Sequence, residues 1–388
     1  MKTLGYVLSD FPVLSETFVG TEMRAMIAQG YRVRPLAFNV NPGSGQPADS
    51  ALVDEARTIT HVSLIQALSS WLRSPIRSCK AIRFVLQQTG LPKKSLIRSA
   101  GQLAYIARKQ HCDHLHAHFA LHTTATAITA AKLLDCQVSF VGHGFDVYAQ
   151  PADLPLKLSS SSFAIAVCKD MQQRFRNLSP TSLVHLVACG IELQRYPFRP
   201  VAKHNGRLLF VGRLTEKKGL SDLFEGLALL PESDRPQLDL VGDGELKSDL
   251  NTLAKKLGID EYIHFLGSRH AEWIIANAAH YIALCTPFCE AKNGDRDTGP
   301  VVVKEAMALG LPVICSQFMG CEEMVTEDTG VLVPPKAPPQ LATAITAMRS
   351  LSEVERLKLV QRARNRVSHF YSATVSGIQL AKAIEGAC

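Results

Sequence analysis

Short runs of hydrophobic residues alternate with segments of helical pattern along the whole chain. Such alternation is typical of parallel strands that are covered by helices on both faces of the sheet. The pattern therefore predicts an α/β fold. The predicted strands are residues 4–8, 32–37, 114–117, 138–141, 164–167, 208–211, 238–241, 263–266, 281–285 and 312–315.

One natural seam separates two groups of predicted strands. Residues 189–200 contain two prolines and a glycine, and a new apolar run follows them. The chain has 388 residues, of which 46% are hydrophobic, and this is enough for two domains with a core each. We expect the first domain to end at residue 195 and the second to begin at residue 196.

Composition indicates the compartment. The first apolar run is too short for a signal peptide, and no apolar stretch is long enough to span a bilayer. The ten cysteines form no CxxC pair, and the closest two, Cys285 and Cys289, have no histidine cluster beside them. This usage is typical of thiols in a reducing compartment. We expect a cytoplasmic protein that needs neither a metal cofactor nor a disulfide framework.

The charges are unevenly distributed. Between Ala56 and Cys112 there are ten Lys or Arg residues and no Asp or Glu. A helix is predicted to start at Ser74-Pro75. Its basic face carries Arg77 and Lys80, its apolar side carries Cys79, Ile82, Val85 and Leu86, and Lys93, Lys94, Arg98, Arg108 and Lys109 follow.

Two interpretations of this basic segment remain open. It is either a solvated outer face, or a surface that docks to anionic lipid headgroups or to a lipid-pyrophosphate acceptor at the membrane. No nucleic-acid-binding motif accompanies the charge, so nucleic acid is not an expected partner.

Two carboxylates lie eight positions apart late in the chain. Asp297 precedes Gly299-Pro300, and Glu305 follows in a helical pattern that stops at Gly310. The spacing suits one carboxylate on a loop and a second on the first turns of a helix. Both could face one ligand across the helix N-terminus, where backbone N–H groups attract anions.

Two cations follow an earlier predicted strand. Gly212 turns the backbone away from residues 208–211, and Arg213 and Lys218 follow it. Arginine offers a planar fork for phosphate oxygens, and lysine offers a compact charge. The next two runs also close on glycine, at Gly242-Asp243-Gly244 and at Gly267-Ser268.

The amino-terminal half has histidines at predicted strand ends. Gly142 and Gly144 flank His143, and this placement exposes its imidazole. Alternation puts three further histidines, His114, His116 and His118, on one side of a strand. No carboxylate or cysteine completes a metal site beside these three in the sequence, so we do not expect a metal there.

The segment after the first predicted strand carries Ser15, Glu16 and Thr17 ahead of a helix. Ser and Thr are good helix caps, so a capping role is expected alongside any functional one. No GxGxxG fingerprint is present, which argues against an NAD-dependent enzyme.

Together these motifs resemble those of retaining glycosyltransferases of the GT-B fold, in the family called GT4. The string from Pro12 to Phe18 is similar to that of bacterial exopolysaccharide and colanic-acid-type glycosyltransferases. The resemblance implies two Rossmann-like domains whose parallel sheets face a central cleft. It also implies a donor domain over residues 196–365 and a last helix, residues 366–388, that crosses back to the first domain.

The resemblance implies a role for each motif. Arg213 and Lys218 would hold the donor diphosphate and stabilise the leaving nucleoside diphosphate. Asp297 would hold the sugar hydroxyls, Glu305 would bind the ribose, and His143 would lie at the reacting face. The other implied donor positions are Gly212, Gly242, Gly267, Ser268, Gly299, Pro300 and Val301, and the implied acceptor positions are Ser15, Glu16, Thr17, His118 and Asp146.

The chain departs from the family at two points. Asp297 stands where the family usually has glutamate, and no Gly-Gly loop follows the first strand. Glu290 is an alternative first carboxylate, although only Asp297 has the family's spacing.

The expected activity is metal-independent transfer, with retention, from a UDP- or GDP-sugar to a saccharide acceptor. The acceptor is expected to be lipid-linked, in bacterial cell-surface or exopolysaccharide synthesis at the inner face of the cytoplasmic membrane. The alternatives are a GT-B sugar-nucleotide epimerase or hydrolase, and a non-catalytic protein that binds a nucleotide-sugar.

Overall fold

The computed structural model describes residues 1–387, which form two compact units. The first unit contains residues 1–190 and the chain from Ala373 onward, and the second contains Ile191–Ser372. The first division therefore falls inside the predicted seam, at residue 190 rather than 195.

The second division lies at Ser372 rather than at residue 365. The helix Glu353–Phe370 runs through the predicted boundary without a break. It buries Ala363 and Val367 in a core cluster of the second unit, and this packing keeps residues 366–372 with that unit.

The first unit is built on a seven-stranded sheet with the order β3-β2-β1-β4-β5-β6-β7, in which every neighbouring pair is parallel. Strand β1, an interior strand of this sheet, pairs Leu4 with Val33 on one side and with His114 on the other. The strands are β1 (Thr3–Phe11), β2 (Arg32–Val40), β3 (Arg57–Thr58), β4 (His114–His118), β5 (Gln137–Val141), β6 (Phe163–Ala166) and β7 (Val184–Leu186).

The second unit has a six-stranded sheet with the order β10-β9-β8-β11-β12-β13, again parallel throughout. The apolar side chains of its strands are buried between helices on the two faces, in two core clusters. The strands are β8 (Arg207–Val211), β9 (Gln237–Val241), β10 (Ile263–Gly267), β11 (Leu284–Thr286), β12 (Val313–Ser316) and β13 (Val331–Val333).

Helices connect the strands in both units. In chain order they are α1 (Thr17–Ala28), α2 (Ser50–Glu55), α3 (Leu64–Leu72), α4 (Pro75–Gln87), α5 (Lys93–Lys109), α6 (His122–Leu134), α7 (Leu154–Ser160), α8 (Lys169–Leu178), α9 (Leu220–Ala228), α10 (Lys247–Lys256), α11 (Ala271–Asn277), α12 (Val301–Leu309), α13 (Cys321–Met324), α14 (Pro338–Arg349), α15 (Glu353–Phe370) and α16 (Ala373–Gly386).

The last helix, α16, packs on α1 within the first unit. Gly377 allows the close approach, because a Cβ there would lie 3.0 Å from the Cβ of Ala25. The hydroxyl of Tyr31 lies 3.2 Å from Oε1 of Glu385 and adds a polar contact.

The structure confirms the parallel α/β prediction, and each of the ten predicted runs overlaps a strand. One predicted strand is too long, because β11 begins only at Leu284. The carbonyls of Tyr281 and Ile282 instead accept hydrogen bonds from the buried Arg356 guanidinium, at 2.6 and 2.7 Å. Strands β3, β7 and β13 have only two or three residues each and left no recognisable run in the sequence.

Within residues 1–387, none of the helices combines the length and the apolar character needed to span a membrane.

Candidate functional site

The glycines that end three neighbouring strands of the second unit are joined through their backbones. The N–H of Gly212, after β8, donates to the carbonyl of Val241 on β9 at 2.9 Å. The N–H of Gly242 donates to the carbonyl of Gly267 on β10, also at 2.9 Å. A Cβ on Gly242 would lie 1.9 Å from the carbonyl oxygen of Gly212, so no side chain fits there. The exposed Ser268 follows directly.

A short 3₁₀ turn, Glu216–Lys218, fixes the predicted lysine. The turn ends at Gly219, where φ is 65° and a Cβ would lie 1.8 Å from the carbonyl oxygen of Pro287. Nζ of Lys218 then lies 2.5 Å from Oδ2 of Asp297 and 4.9 Å from the ring centre of Phe288. Arg213 is exposed on the segment before this turn.

Of the two candidate first carboxylates, Asp297 is the one that contacts a predicted diphosphate-binding cation, Lys218. Its burial opposes ionisation, but the charges of Lys218, Lys217 and Arg213 and the hydrogen bond from Lys218 outweigh it, so the pKa of Asp297 is lowered. The alternative carboxylate, Glu290, is 48% exposed and pairs with Arg296 at 2.7 Å. This arrangement favours Asp297 over Glu290.

The second predicted carboxylate, Glu305, lies on the second turn of α12. The hydroxyl of Tyr196 donates to its Oε1 at 2.6 Å. Burial raises the pKa of Glu305, although Tyr196, Arg195 and Lys304 act against this rise. Gly299, Pro300 and Val301 form the lead into the helix, and Gly310 ends it in the predicted left-handed conformation with φ at 89°.

In the first unit, Asp146 shapes the turn that carries His143. Its carboxylate accepts the backbone N–H of Ala120 at 2.5 Å and that of His143 at 3.0 Å. Burial raises the pKa of Asp146 to about 6, although these N–H groups and Lys157 act in the opposite direction. Asp146 is therefore a residue that positions His143, and its side chain is fully buried.

The three histidines of β4 lie on one side of the strand, as predicted, and all three are buried. His114 and His116 both contact the hydroxyl of Ser139 on β5, at 2.6 and 2.7 Å. Nδ1 of His118 lies 3.3 Å from Nε2 of His143.

The expectation that no carboxylate accompanies these histidines is wrong. Oε1 of Glu22, on α1, lies 3.2 Å from Nε2 of His116 and 3.2 Å from Nε2 of His118. Burial disfavours a charge on Glu22, but His118 and His116 outweigh it and lower the pKa of the carboxyl. Glu22 is 96 residues from His118 in the chain, so sequence spacing carried no sign of the contact.

The capping role expected of Ser15 and Thr17 is not observed. The residue before the first helical position of α1 is Glu16, and it makes no side-chain hydrogen bond to the first turn. The segment instead enters the helix through backbone bonds, from the N–H of Glu16 to Val13 and from the N–H of Val19 to Glu16, both at 3.0 Å.

Tyr196 was also missed from the sequence. Tyr196 lies in the seam, 109 residues from Glu305. The one signal in the sequence was a phenolic hydroxyl, able to form a hydrogen bond, within this irregular segment. Lys217 was overlooked as a second buried cation, paired with Asp295 at 2.9 Å.

Two Rossmann-like units, each with a parallel sheet, are the architecture of the GT-B fold. The solved structure of Anabaena HepE in complex with UDP-glucose shows this fold, with a TM-score of 0.74, 17% identity and full coverage of both chains.

Residues 197–366 match the family described as Glycosyl transferases group 1. Over 98% of this chain and 99% of the relative, the sequence is 27% identical to the putative colanic acid biosynthesis glycosyltransferase WcaL of Escherichia coli. It is 24% identical, at the same coverage, to the amylovoran biosynthesis glycosyltransferase AmsK of Erwinia amylovora. Residues 197–366 are therefore similar to group 1 glycosyltransferase domains, and the predicted resemblance to exopolysaccharide-type glycosyltransferases is confirmed.

The carboxylate under His143 leads to a prediction about stability. Asp146→Ala leaves the N–H groups of Ala120 and His143 without their acceptor, and the free energy of unfolding should fall by about 2 kcal/mol or more. Urea unfolding followed by circular dichroism measures the change, with Asp54→Ala, at an exposed aspartate, as control.

The raised pKa of Asp146 predicts that the effect of Asp146→Ala on the free energy of unfolding depends on pH. The pKa of Asp146 is raised in the folded state, from 3.8 to about 6, so the folded state binds this proton more tightly than the unfolded state. Its contribution to stability is greatest below about pH 4 and declines as the pH rises to about 6. The stability gap between wild type and Asp146→Ala should narrow across that window. A gap that widens would contradict the assignment.

Proposed function

We propose that the protein transfers a sugar, with retention, from a nucleotide-diphospho sugar to a saccharide acceptor in the synthesis of a bacterial exopolysaccharide. The observation that carries the proposal is the contact between Lys218 and Asp297 at the glycine-lined strand ends of the second unit. The relatives WcaL and AmsK, named for colanic acid and amylovoran biosynthesis, support the product class. The UDP-glucose bound by HepE supports the donor class.

Each side chain has a role that follows from its chemistry. Arg213 and Lys218 bind the diphosphate and stabilise the charge that develops on it as the sugar leaves. The lowered pKa of Asp297 keeps it ionised, so it can accept hydrogen bonds from sugar hydroxyls. Glu305 binds the ribose, and His143 acts at the transferred sugar.

The proposed reaction uses no protein nucleophile. The departing phosphate helps to deprotonate the acceptor hydroxyl, which attacks from the same face of the sugar. Cationic side chains, rather than a metal ion, neutralise the diphosphate in the donor site. The donor nucleotide is uridine or guanosine diphosphate.

Incubation with radiolabelled UDP- and GDP-sugars tests the activity. Label transferred to a bacterial lipid extract is the expected result and supports a lipid-linked acceptor. Free labelled sugar would indicate a hydrolase, and an epimerised donor would indicate an epimerase. Binding of the donor without any product would indicate a non-catalytic protein.

The diphosphate clamp gives a prediction. Charge-assisted hydrogen bonds contribute about 1.5–3 kcal/mol each. Lys218→Ala and Arg213→Ala should therefore each lower turnover at least about tenfold, with an unchanged circular dichroism spectrum. Lys255→Ala is the control, because this lysine is exposed on α10 and belongs to none of the proposed site residues. Normal rates in both test variants would refute the clamp.

The altered carboxylate gives a second prediction. Asp297→Glu restores the residue usual in the family and should retain measurable activity, whereas Asp297→Ala should lose most of it. Glu290→Ala should behave like wild type, since Glu290 is exposed and paired with Arg296. Initial rates with a fixed donor decide the matter, and an inactive Glu290→Ala beside an active Asp297→Ala would reverse the assignment.

Helices α3 and α4 support docking to a membrane surface. Their large apolar side chains Leu64, Ile65, Leu68, Leu72 and Ile76 are between 57% and 83% exposed. The predicted apolar side of α4 is divided, because Val85 is buried in the core whereas Cys79 and Leu86 are exposed.

The cations around these helices complete the proposed surface. Lys80, Arg83, Lys93, Lys94 and Arg98 are exposed. Arg77 is different, because its guanidinium pairs with Asp135 at 3.0 Å and is partly neutralised. Exposed apolar side chains with surrounding cations suit an anionic lipid surface, on which the protein would lie peripherally on the cytoplasmic side.

Liposome sedimentation tests the surface. The protein should sediment with anionic liposomes at low salt and be released at high salt, because each basic residue contributes about 1 kcal/mol that salt screens. Charge reversal at Lys80, Lys93 and Lys94, or serine at Leu68 and Leu72, should weaken sedimentation. Charge reversal at Lys247, Lys255 and Lys256 of the second unit is the control. A wild-type protein that ignores anionic liposomes would favour a soluble acceptor.

A further inference from the structure

Three side-chain atoms of the first unit that are able to ligate a metal ion lie close together, and their residues are buried or half-buried. They belong to Glu22, His116 and His118, which we call the histidine cluster, and all three atoms lie within 4.8 Å of one another. Oε1 of Glu22 is 3.2 Å from the Nε2 atom of each histidine. Ligands about 2.0–2.1 Å from a tetrahedral ion lie about 3.3 Å apart, so both separations fit shared coordination.

His116 shows why a hydrogen-bond network alone does not account for the cluster. Its Nε2 is fully buried and has no hydrogen-bond partner, although Oε1 of Glu22 is only 3.2 Å away. The nitrogen and the oxygen are close but not directed at each other. Two ligands of one ion have this relation, because each lone pair points at the ion.

Ser139 constrains the proton on His116. The single hydroxyl of Ser139 contacts Nε2 of His114 at 2.6 Å and Nδ1 of His116 at 2.7 Å, and it can donate to only one of them. When it donates to His114, it accepts the Nδ1 proton of His116. Nε2 of His116 is then a bare lone pair next to a carboxylate, an arrangement that a cation between them stabilises.

The atoms behind the cluster match the outer contacts of protein metal sites. Nδ1 of His116 contacts Ser139, and Nδ1 of His118 lies 3.3 Å from Nε2 of His143. The hydroxyl of Tyr6 donates to Oε1 of Glu22 at 3.0 Å. Such contacts orient ligands and fix the histidine tautomer.

We propose that Glu22, His116 and His118 bind one divalent ion of the zinc class. Two imidazoles and one carboxylate select such an ion over Mg²⁺ or Ca²⁺, which prefer oxygen ligands. A water molecule would take the fourth position. The ion would hold His118 and, through it, position His143. The site lies outside the donor-binding residues and goes beyond the proposed function, because it binds metal whether or not transfer occurs.

Metal loading of the purified full-length chain tests the site. The protein is stripped with a chelator, loaded with Zn²⁺ or Co²⁺, dialysed and analysed by mass spectrometry of the metal. One equivalent should remain bound to the wild type. The Co²⁺ form should show visible absorption of a low-coordinate ion without the near-ultraviolet band of a cobalt–thiolate bond, which excludes the cysteines as ligands.

Variants assign the ligands. Glu22→Gln and His116→Ala should lose the stoichiometric ion, and Ser139→Ala should bind it about 10–100-fold more weakly. His122→Ala should bind normally, because it removes a partly buried imidazole of the same unit that contacts Ser9 instead. Glu22→Gln is nearly isosteric, so it remains informative if His116→Ala does not fold.

Three outcomes would overturn the proposal. They are a wild-type protein that retains no stoichiometric Zn²⁺ or Co²⁺, a thiolate band in the Co²⁺ spectrum, and retention of the ion by Glu22→Gln with unchanged affinity. The first outcome would leave the cluster as a hydrogen-bonded contact between Glu22 and His118.

Discussion

Parallel strand pairing is the constraint on which the rest of each unit depends. It brings the carboxyl ends of all strands in a sheet to one edge, where ligands of open α/β sheets bind. In the second unit this edge gathers Gly212, Gly242 and Gly267; the N–H of Gly212 donates to Val241, and that of Gly242 donates to Gly267. In the first unit, His118 pairs with Val141 across β4 and β5, so His143 lies beside it. His143 is buried, so the prediction that its imidazole is exposed is wrong.

The two units treat buried carboxylates in different ways. Asp297 faces a lysine, and the attraction keeps it ionised despite its burial. Asp146 accepts hydrogen bonds from backbone N–H groups, and the charge of Lys157 also lowers its pKa, but burial outweighs both and the pKa rises. A buried carboxylate with a lysine at hydrogen-bond distance thus stays ionised, whereas one whose hydrogen bonds come from backbone N–H groups has a raised pKa.

Two sequence-based predictions were wrong for related reasons: the absence of a carboxylate beside the histidines of β4 and the capping of α1 by Ser15 and Thr17. The hydrophobic pattern placed three histidines on one side of a strand correctly, but their carboxylate partner came from a helix formed early in the chain. Likewise, Ser15 and Thr17 are good capping residues, yet the helix begins at Thr17, and the cap position between them falls to Glu16. Residue type reports what a side chain is able to do, whereas packing decides which neighbour it meets.

The sequence by itself determined where the longer strands lie along the chain and where the seam between the two domains falls. It also determined the cations after β8, the spaced carboxylates and the family resemblance. All of these depend on local pattern and on short spacings. Only the tertiary structure decided that Lys218 meets Asp297, that Tyr196 meets Glu305 and that Glu22 meets His116 and His118. Each of these pairs joins residues that are far apart in the chain. Their proximity results from the packing of helices and loops against the sheets, and no local pattern in the sequence encodes it.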